Sequence, residues 1–586
     1  MIIRILVCSA LFLAIQTTII ANDPSAKVDK SLLEKYISTA SNEYLLLMKD
    51  RVVFSTTPDF LSKNEKGKYV YDALLKNANK TQRPVIEFLI ANKIPYQSFI
   101  ITNAIKVNSD YTTMMTLAAR ADVDQIIDNS PIKMLDYSVT KNTESMRMPE
   151  PEWGIKTLKA DSVWMLGYRG KGVVVGGQDT GYDWDVGPLK KQYRGYKDSL
   201  NVNHSYHWHD AVKKNNPKFP DSLLNPCGYS TKEPCDDNNH GTHTMGTMVG
   251  EDENNKIGIS PESKWIACRN MDRGWGQPST YLECFEWLFA PYDQNGKNAD
   301  PARSPHVINN SWFCSPEEGC NSSNFKMMEE VVKNLKASGI VVVVSAGNSG
   351  SACGTVTGPP GFFEPSFSVG ATDRNDLIAG FSSRGPVVID SSFRIKPNVS
   401  APGVSVRSVI RNGGFASFNG TSMAGPHVAG VVALMISANP SLAGKVNLIE
   451  DIIESTAVRR TSDQICNQIP GSQIPNPVYG YGRIDALAAV KKSLLFISSV
   501  FHADDNNPMK ILPNPAHQEI FISLDNQLSL DEIHIFDNQG RLVERKIFSY
   551  PETIIKHDIE DYQSGFYIIR VLSAGKSYTA KFIKNP

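Results

Sequence analysis

One segment restricts the fold more than any other: a serine at the start of an apolar helix made of small residues. Residues 420–430 run Gly-Thr-Ser-Met-Ala-Gly-Pro-His-Val-Ala-Gly. The first turn of a helix carries unpaired N–H groups and partial positive charge. A serine there can attack a carbonyl group while its own N–H stabilises the oxyanion that forms. The pattern therefore predicts Ser422 as a nucleophile, although small residues also cap ordinary helices.

An aspartate follows a run of valines upstream, at 171–181. The valines predict a buried parallel strand that ends at Asp179, and open α/β sheets bind ligands at such strand ends. An ordinary turn aspartate is the alternative. Asp-Thr-Gly also occurs in aspartic proteases, which need a second, similarly placed carboxylate. The chain has no second Asp-Thr-Gly and no Asp-Ser-Gly, which argues against that class.

A histidine and an asparagine supply two further candidate groups. His240 begins a segment, 239–250, whose glycines and threonines suit a closely packed helix. His243 lies three residues later, but no His-Glu-x-x-His and no third ligand accompany the pair, so we expect no zinc. Asn348 follows the apolar strand predicted at 340–344, and an amide there can donate to an oxyanion. A simple Gly-Asn turn is the alternative for Asn348.

The order Asp179, His240, Asn348, Ser422 resembles the subtilisin superfamily of serine proteases. Segments 268–274, 307–312, 381–386 and 396–403 are similar to its bacillopeptidase F-like branch, and the resemblance covers about residues 150–490. It implies an α/β fold: a subtilisin-like parallel sheet flanked by helices, with an N-terminal α+β propeptide and a small C-terminal β-sandwich. The expected activity is that of a serine endopeptidase acting on protein or peptide substrates.

The resemblance also implies a role for each residue. Ser422 would be the nucleophile that forms an acyl-enzyme, His240 the general base and then acid, and Asp179 the group that orients the imidazole. Asn348 and the Ser422 N–H would form the oxyanion hole. No cofactor is expected for the chemistry. The substrate-binding residues would be Ser311, Trp312, Phe313, Ser345, Ala346 and Gly347.

Phe313 departs from the family pattern. Related sequences usually have glycine at this position, so a phenyl ring there would narrow the pocket mouth or swing outward. The rival functional class is a catalytically inactive surface or binding protein on a protease scaffold. The presence of all four motifs argues against that class.

Length, charge and the N-terminal residues indicate the number of domains, the class of partner and the location of the protein. The chain has 586 residues, too many for one ordinary domain, and 60 basic residues balance 61 acidic ones. Nothing in this balance indicates a nucleic-acid partner. Residues 1–21 resemble a secretory signal peptide, with an uncleaved membrane anchor as the alternative. We expect a secreted or cell-surface monomer.

The cysteines are consistent with export. Without Cys8, eight remain, and an even number in an exported chain indicates disulfides. Cys227 with Cys235, and Cys314 with Cys320, lie close in sequence. The other pairings stay open. A buried free thiol is an alternative for Cys268, which ends an apolar strand.

Domains flank the predicted peptidase domain of residues 150–495. Residues 28–140 show an α+β pattern that resembles the inhibitor-like propeptide of these proteases, so the chain's own propeptide is an expected inhibitor. The polar stretch 139–151 is typical of an exposed, cleavable linker. Residues 510–586 alternate apolar and polar residues as in a β-sandwich. Their motifs resemble the C-terminal sorting domain of Bacteroidetes type IX secretion, whose machinery would be a partner; a carbohydrate-binding sandwich is the alternative.

Two loops contain residue types that can bind a metal ion, but neither loop predicts a metal site by itself. Residues 204–210 hold three histidines and an aspartate, for which a structural loop is the favoured interpretation. The loop 251–255 is rich in oxygen ligands, as calcium requires. A solvated acidic turn explains that loop equally well, so structural calcium remains open.

Overall fold

The computed structural model describes residues 23–54, 57, 61–134, 137–140, 148–220, 222–312, 322–496, 509–524 and 528–585. The predicted signal peptide, Phe313, Cys314 and Cys320 lie outside these ranges.

The first unit is an α+β layer. It consists of α1 Lys30–Lys35, β1 Asn42–Met48, α2 Lys63–Thr81, α3 Arg83–Ala91, β2 Tyr96–Phe99, β3 Ala104–Ser109, α4 Tyr111–Ala118 and β4 Val123–Asp128. The antiparallel sheet has the order β2-β3-β1-β4. Helix α2 begins with a capping box, in which Ser62 and Glu65 satisfy each other's backbone N–H groups. Residues 63–91 form two helices, α2 and α3, and residues 96–109 contain the pair β2 and β3.

Three short strands connect this unit to the next: β5 Ile132–Lys133, β6 Ser138–Thr140 and β7 Met148–Pro151. Each pairs with a strand of the central unit: β5 with residues 275–276, β6 with 417–419, and β7 with 255–256. The described parts of the predicted linker are therefore attached to the central unit, because their backbone groups complete its strand edges.

The central unit begins near residue 152 and is built on seven parallel strands. Its elements are α5 Trp153–Thr157, α6 Ala160–Met165, β8 Val174–Asp179, α7 Gly187–Lys190, β9 Tyr196–Asp198, β10 Asn201–Val202, β11 Trp208–Asp210, α8 His240–Val249, β12 Asn255–Lys256, β13 Lys264–Arg269, β14 Met271–Asp272, β15 Trp275–Gly276, α9 Pro278–Phe289, β16 Val307–Asn310, α10 Ser322–Ala337, β17 Val341–Ser345, β18 Phe367–Thr372, β19 Val399–Pro402, β20 Val406–Val409, β21 Phe415–Asn419, α11 Thr421–Ala438, α12 Val446–Thr456, β22 Ile465–Cys466, β23 Ile469–Pro470 and α13 Ala486–Ser493. The parallel sheet has the order β11-β13-β8-β16-β17-β18-β19.

Helices cover both faces of this sheet, which explains its continuous apolar strands. Helix α11 packs on one face, in a core that includes Val343 and Val428. Helices α9 and α10 pack on the other, in a core that includes Phe285 and Val331. The predicted fold class is confirmed. In the described part of the chain, α11 alone is long and apolar enough to cross a membrane, and 89% of it is buried inside the protein.

The C-terminal unit is antiparallel. It contains β24 Met509–Leu512, β25 Glu519–Leu524, β26 Leu530–Phe536, β27 Leu542–Glu552, β28 Ile554–Asp558, β29 Gly565–Ser573 and β30 Lys576–Lys584. The two sheets, β24-β25-β28 and β27-β26-β29-β30, share one hydrophobic core. This unit contacts α2 of the first unit, where Lys76 Nζ lies 2.8 Å from Glu552 Oε1.

Three disulfides appear among the described cysteines: Cys227–Cys235, Cys268–Cys284 and Cys353–Cys466. The prediction of disulfides is confirmed. The alternative of a free thiol at Cys268 is wrong, because α9 packs on β13 and brings Cys284 to it.

Candidate functional site

Asp179 and His240 meet at the carboxyl edge of the parallel sheet. Asp179 is the last residue of β8, and His240 is the first residue of α8. Nδ1 of His240 lies 2.8 Å and 2.9 Å from the two carboxylate oxygens of Asp179. Both side chains are buried, so this contact fixes the imidazole orientation. It leaves Nε2 free of any hydrogen bond among the described residues.

Asp236 holds the start of α8 in place. Its carboxylate accepts hydrogen bonds from the backbone N–H groups of Asn238, Asn239 and Thr242. A carboxylate at a helix N-terminus binds the unpaired N–H groups there. Sequence analysis missed this role, although the acidic residue four positions before His240 is a recognisable helix-start signal.

Ser422 lies in the first turn of α11 and is 7% exposed. Its hydroxyl donates to the carbonyl oxygen of Ser311 at 3.0 Å, and the Ser311 hydroxyl donates to the Ser422 carbonyl at 2.8 Å. Asn309 Nδ2 donates in turn to Ser311 Oγ at 2.7 Å. Residues 309–311, at the end of β16, therefore fix the position of the helix start.

Asn348 follows β17 and contacts the same helix start. Its Oδ1 accepts from the backbone N–H and the hydroxyl of Thr421, both at 2.9 Å. The amide oxygen is thereby engaged, which leaves Nδ2 directed toward Gly420, where an added Cβ would lie 3.4 Å from it. A donor is thus positioned beside the Ser422 N–H, as an oxyanion hole requires.

The remaining predicted substrate-binding residues lie in two places, at the end of β17 and directly after Ser311. Ser345 and Ala346 are buried at the end of β17, and Gly347, with φ of +106°, donates its N–H to Thr421 Oγ1 at 3.3 Å. The Trp312 ring is buried and stacks on Tyr281 with centroids 4.0 Å apart. Trp312 thus belongs to the hydrophobic core that contains Tyr281, and Phe313 lies outside the described residues.

The chain that connects the first unit to the central unit passes through this site. We call residues 132–134 and 137–140 the tail. On one side Ile132 pairs with Gly276, and Met134 donates its N–H to Gly274 at 2.7 Å. Past the site Ser138 pairs with Asn419, three residues before Ser422. The tail therefore binds as an extended strand at the edges of the central unit, as a peptide substrate does in β-augmentation.

The tail alternates buried and exposed side chains. Ile132 and Met134 are 3% and 6% exposed and join the core that contains Tyr281 and Trp312, whereas Lys133 between them is exposed. Alternate residues of the strand are thus buried in this one hydrophobic core.

The histidines considered as metal ligands are directed to separate partners. His243 Nε2 donates to the carbonyls of Val406 and Ala416, and burial lowers the pKa of His243 to about 3. His209 contacts Glu283 at 2.7 Å, while His204 contacts the Tyr193 hydroxyl at 3.0 Å. Within the described ranges, no three His, Cys, Asp or Glu residues are grouped to hold a metal ion.

The oxygen-rich loop 251–255 is bound by nitrogen donors. Asp252 Oδ1 accepts from Asn254 N at 2.8 Å, and Asn255 Oδ1 accepts from Arg407 at 2.9 Å. Arg407 also pairs with Glu152 at 3.0 Å. A guanidinium group thus supplies positive charge at this loop, and calcium binding there stays a hypothesis.

Comparison with known proteins agrees with this arrangement. Residues 170–482 match the Subtilase family, which is more than half of the chain. The chain belongs to the subtilase family. Bacillopeptidase F of Bacillus subtilis is 34% identical over 445 residues, which is 73% of this chain and 29% of that protein. Subtilisin DY of Bacillus licheniformis is 32% identical over 308 residues, 52% of this chain and 90% of that protein.

The subtilase match supports a serine endopeptidase, and it covers Asp179, His240, Asn348 and Ser422. The chain spans less than a third of the length of bacillopeptidase F. Residues 510–585 match a secretion system C-terminal sorting domain, which supports a secreted or cell-surface location.

Proposed function

We propose that this subtilase hydrolyses peptide bonds in proteins through an acyl-enzyme formed on Ser422. The observation that carries the proposal is the buried Asp179–His240 contact at the start of α8, which packs against α11, the helix whose first turn presents Ser422. His240 Nε2 takes the Ser422 proton as the hydroxyl attacks and returns it to the leaving amine. Asp179 stabilises the imidazolium. Asn348 Nδ2 and the Ser422 N–H bind the oxyanion.

The first unit acts in this proposal as an inhibitory propeptide. Its tail fills the cleft as a substrate strand, and its sheet docks on α9, where Glu286 Oε2 accepts from the N–H groups of Ile100 and Ile101 at 2.6 and 2.9 Å. The functional division is residues 1–21 as signal peptide, 28–140 as propeptide, 150–495 as peptidase domain and 510–586 as sorting domain. The mature enzyme acts as a monomer and needs no cofactor for the chemistry.

Three measurements on one variant test the proposal. Ser422→Ala removes one oxygen atom and should leave the thermal unfolding transition in place. Casein hydrolysis should fall by several orders of magnitude, because members of a catalytic triad act as a unit. Labelling by a fluorophosphonate, which reacts with activated serines, should be lost. A folded variant that keeps more than about a tenth of wild-type activity would rule out Ser422 as the nucleophile.

A further inference from the structure

Tyr137 belongs to the tail, and its side chain contacts the predicted catalytic histidine, His240. Its ring centroid is 5.0 Å from that of His240 and 4.4 Å from that of Phe418. Its hydroxyl donates to Asn238 Oδ1 at 3.0 Å. Two aromatic rings and one hydrogen-bond acceptor therefore surround one phenol.

We propose that His240, Phe418 and Asn238 form a subsite that selects a tyrosine side chain on the leaving-group side of the cleaved bond. The inference rests on the proposed protease function. Ile132 and Lys133 pair with β15 on one side of the site, and Ser138 to Thr140 pair with β21 on the other. A cut at one of the bonds that link Met134 to Tyr137, between these two pairings, leaves Tyr137 on the fragment that departs with a new amino group.

Phe418 and Asn238, which form two walls of the subsite, are each held in place by neighbouring residues. Phe418 is 2% exposed and stacks on His243 with centroids 4.2 Å apart and planes at 10°. His243 is itself held by the carbonyl groups of β20 and its neighbour strand. The backbone N–H of Asn238 donates to Asp236 at 2.9 Å. A wall that does not move on binding loses little entropy, which favours selectivity.

The chemistry of the subsite distinguishes tyrosine from other side chains. An alanine leaves the space between the rings empty. A phenylalanine fills that space but leaves the Asn238 oxygen without the phenol donor. Because sites that hydrogen-bond a substrate hydroxyl discriminate against analogues that lack it, tyrosine should be preferred over phenylalanine. In the precursor the occupant is Tyr137 of the chain itself.

The test uses processed enzyme and decapeptides with the sequence of residues 131–140, Pro-Ile-Lys-Met-Leu-Asp-Tyr-Ser-Val-Thr. The position of Tyr137 carries tyrosine, phenylalanine or alanine. We expect kcat/KM to fall about two- to tenfold from tyrosine to phenylalanine, and about tenfold or more from phenylalanine to alanine. The matched control replaces Val139, which is 54% exposed, with alanine and should change kcat/KM less than about twofold.

Two enzyme variants then assign the preference to Asn238. In Asn238→Ala the ratio of kcat/KM for the tyrosine and phenylalanine peptides should approach one. Asn238→Asp keeps an acceptor oxygen and should keep the ratio above one. Mass spectrometry of the products locates the cut relative to tyrosine.

The outcomes separate the two proposals. Equal kcat/KM for the three peptides, or a cut on the carboxyl side of the tyrosine, would overturn the subsite while casein hydrolysis still supports the protease. If wild-type enzyme neither hydrolyses casein nor reacts with a fluorophosphonate, both the protease proposal and the subsite proposal are overturned. If Asn238→Ala does not fold, the peptide series on wild-type enzyme decides alone.

Discussion

Ser422 and Ser311 exchange hydrogen bonds: each hydroxyl donates to the other residue's carbonyl oxygen, at 3.0 and 2.8 Å. The Ser422 hydroxyl is thus engaged with the backbone, while His240 Nε2 has no partner within the described chain. Rotation about the Ser422 Cα–Cβ bond would redirect the hydroxyl without moving the helix. In this structure, with the tail bound, the predicted nucleophile and base are not hydrogen-bonded to each other.

This arrangement predicts slow reaction of Ser422 in the precursor. The tail pairs with strands on both sides of the site, the Tyr137 ring lies on His240, and the Ser422 hydroxyl is engaged, so a fluorophosphonate should label the precursor at least about tenfold more slowly than the processed enzyme. The measurement is a labelling time course on both forms, with Ser422→Ala as the blank. Equal rates would show that the tail does not protect the serine.

Self-processing is the second prediction. From the sequence, the cut is expected near residues 136–150. The tail pairs on both sides of Ser422, so N-terminal sequencing should place the first cut among the bonds that link Met134 to Tyr137. Purified Ser422→Ala precursor should stay full-length at this junction while wild type matures. Cleavage of the purified variant at the normal rate would indicate a second protease.

The third prediction concerns the pH dependence of first-unit binding through Lys63. The side chain is buried between the first and central units, where Lys63 Nζ donates to Ser304 O and Oγ. Burial, with a smaller effect of Arg194, lowers the pKa of Lys63 to about 7. The dissociated unit binds the extra proton between pH 7 and the ordinary lysine pKa of about 10.4, so binding should strengthen as pH rises through that range.

Glu286 should give the opposite slope at lower pH. Loss of hydration raises its pKa to about 7 in the complex, despite the two backbone N–H donors and with a smaller contribution from Glu283. The complex holds the extra proton between about pH 4.3 and 7, so binding should weaken as pH rises through that range. Together the two groups predict the weakest inhibition near neutral pH.

Inhibition constants measured from pH 4 to 10 on processed enzyme check both slopes. Lys63→Met should flatten the alkaline slope and leave the acidic one. Glu286→Gln should flatten the acidic slope and leave the alkaline one. If both variants show wild-type profiles, other groups control the pH dependence.

The fourth prediction concerns the C-terminal unit. It contacts the first unit through pairs such as Lys76–Glu552 and supplies none of the candidate site residues. Removal of residues 510–586 should leave casein hydrolysis by processed enzyme within about twofold of the full chain. In the native host, the truncated enzyme should accumulate in the periplasm. Cell fractionation decides, and normal export of the truncated enzyme would favour the carbohydrate-binding alternative.

The sequence by itself determined the local parts of the site. Apolar runs located the strands that end at Asp179 and before Asn348, and small-residue patterns located the helices that begin at His240 and near Ser422. These signals are local because strand and helix periods depend on neighbouring residues. The order of the motifs then indicated the family, which the comparison confirmed.

Only the tertiary structure decided which distant residues meet. The pairing of Cys268 with Cys284 depends on how α9 packs on the sheet. The tail's place in the cleft depends on two unpaired strand edges that are 140 residues or more away in sequence from the tail. Tyr137 carries no motif, and its contacts with Asn238, His240 and Phe418 exist because those edges hold the tail beside the site. Such contacts arise from packing between segments far apart in the chain, which no local pattern encodes.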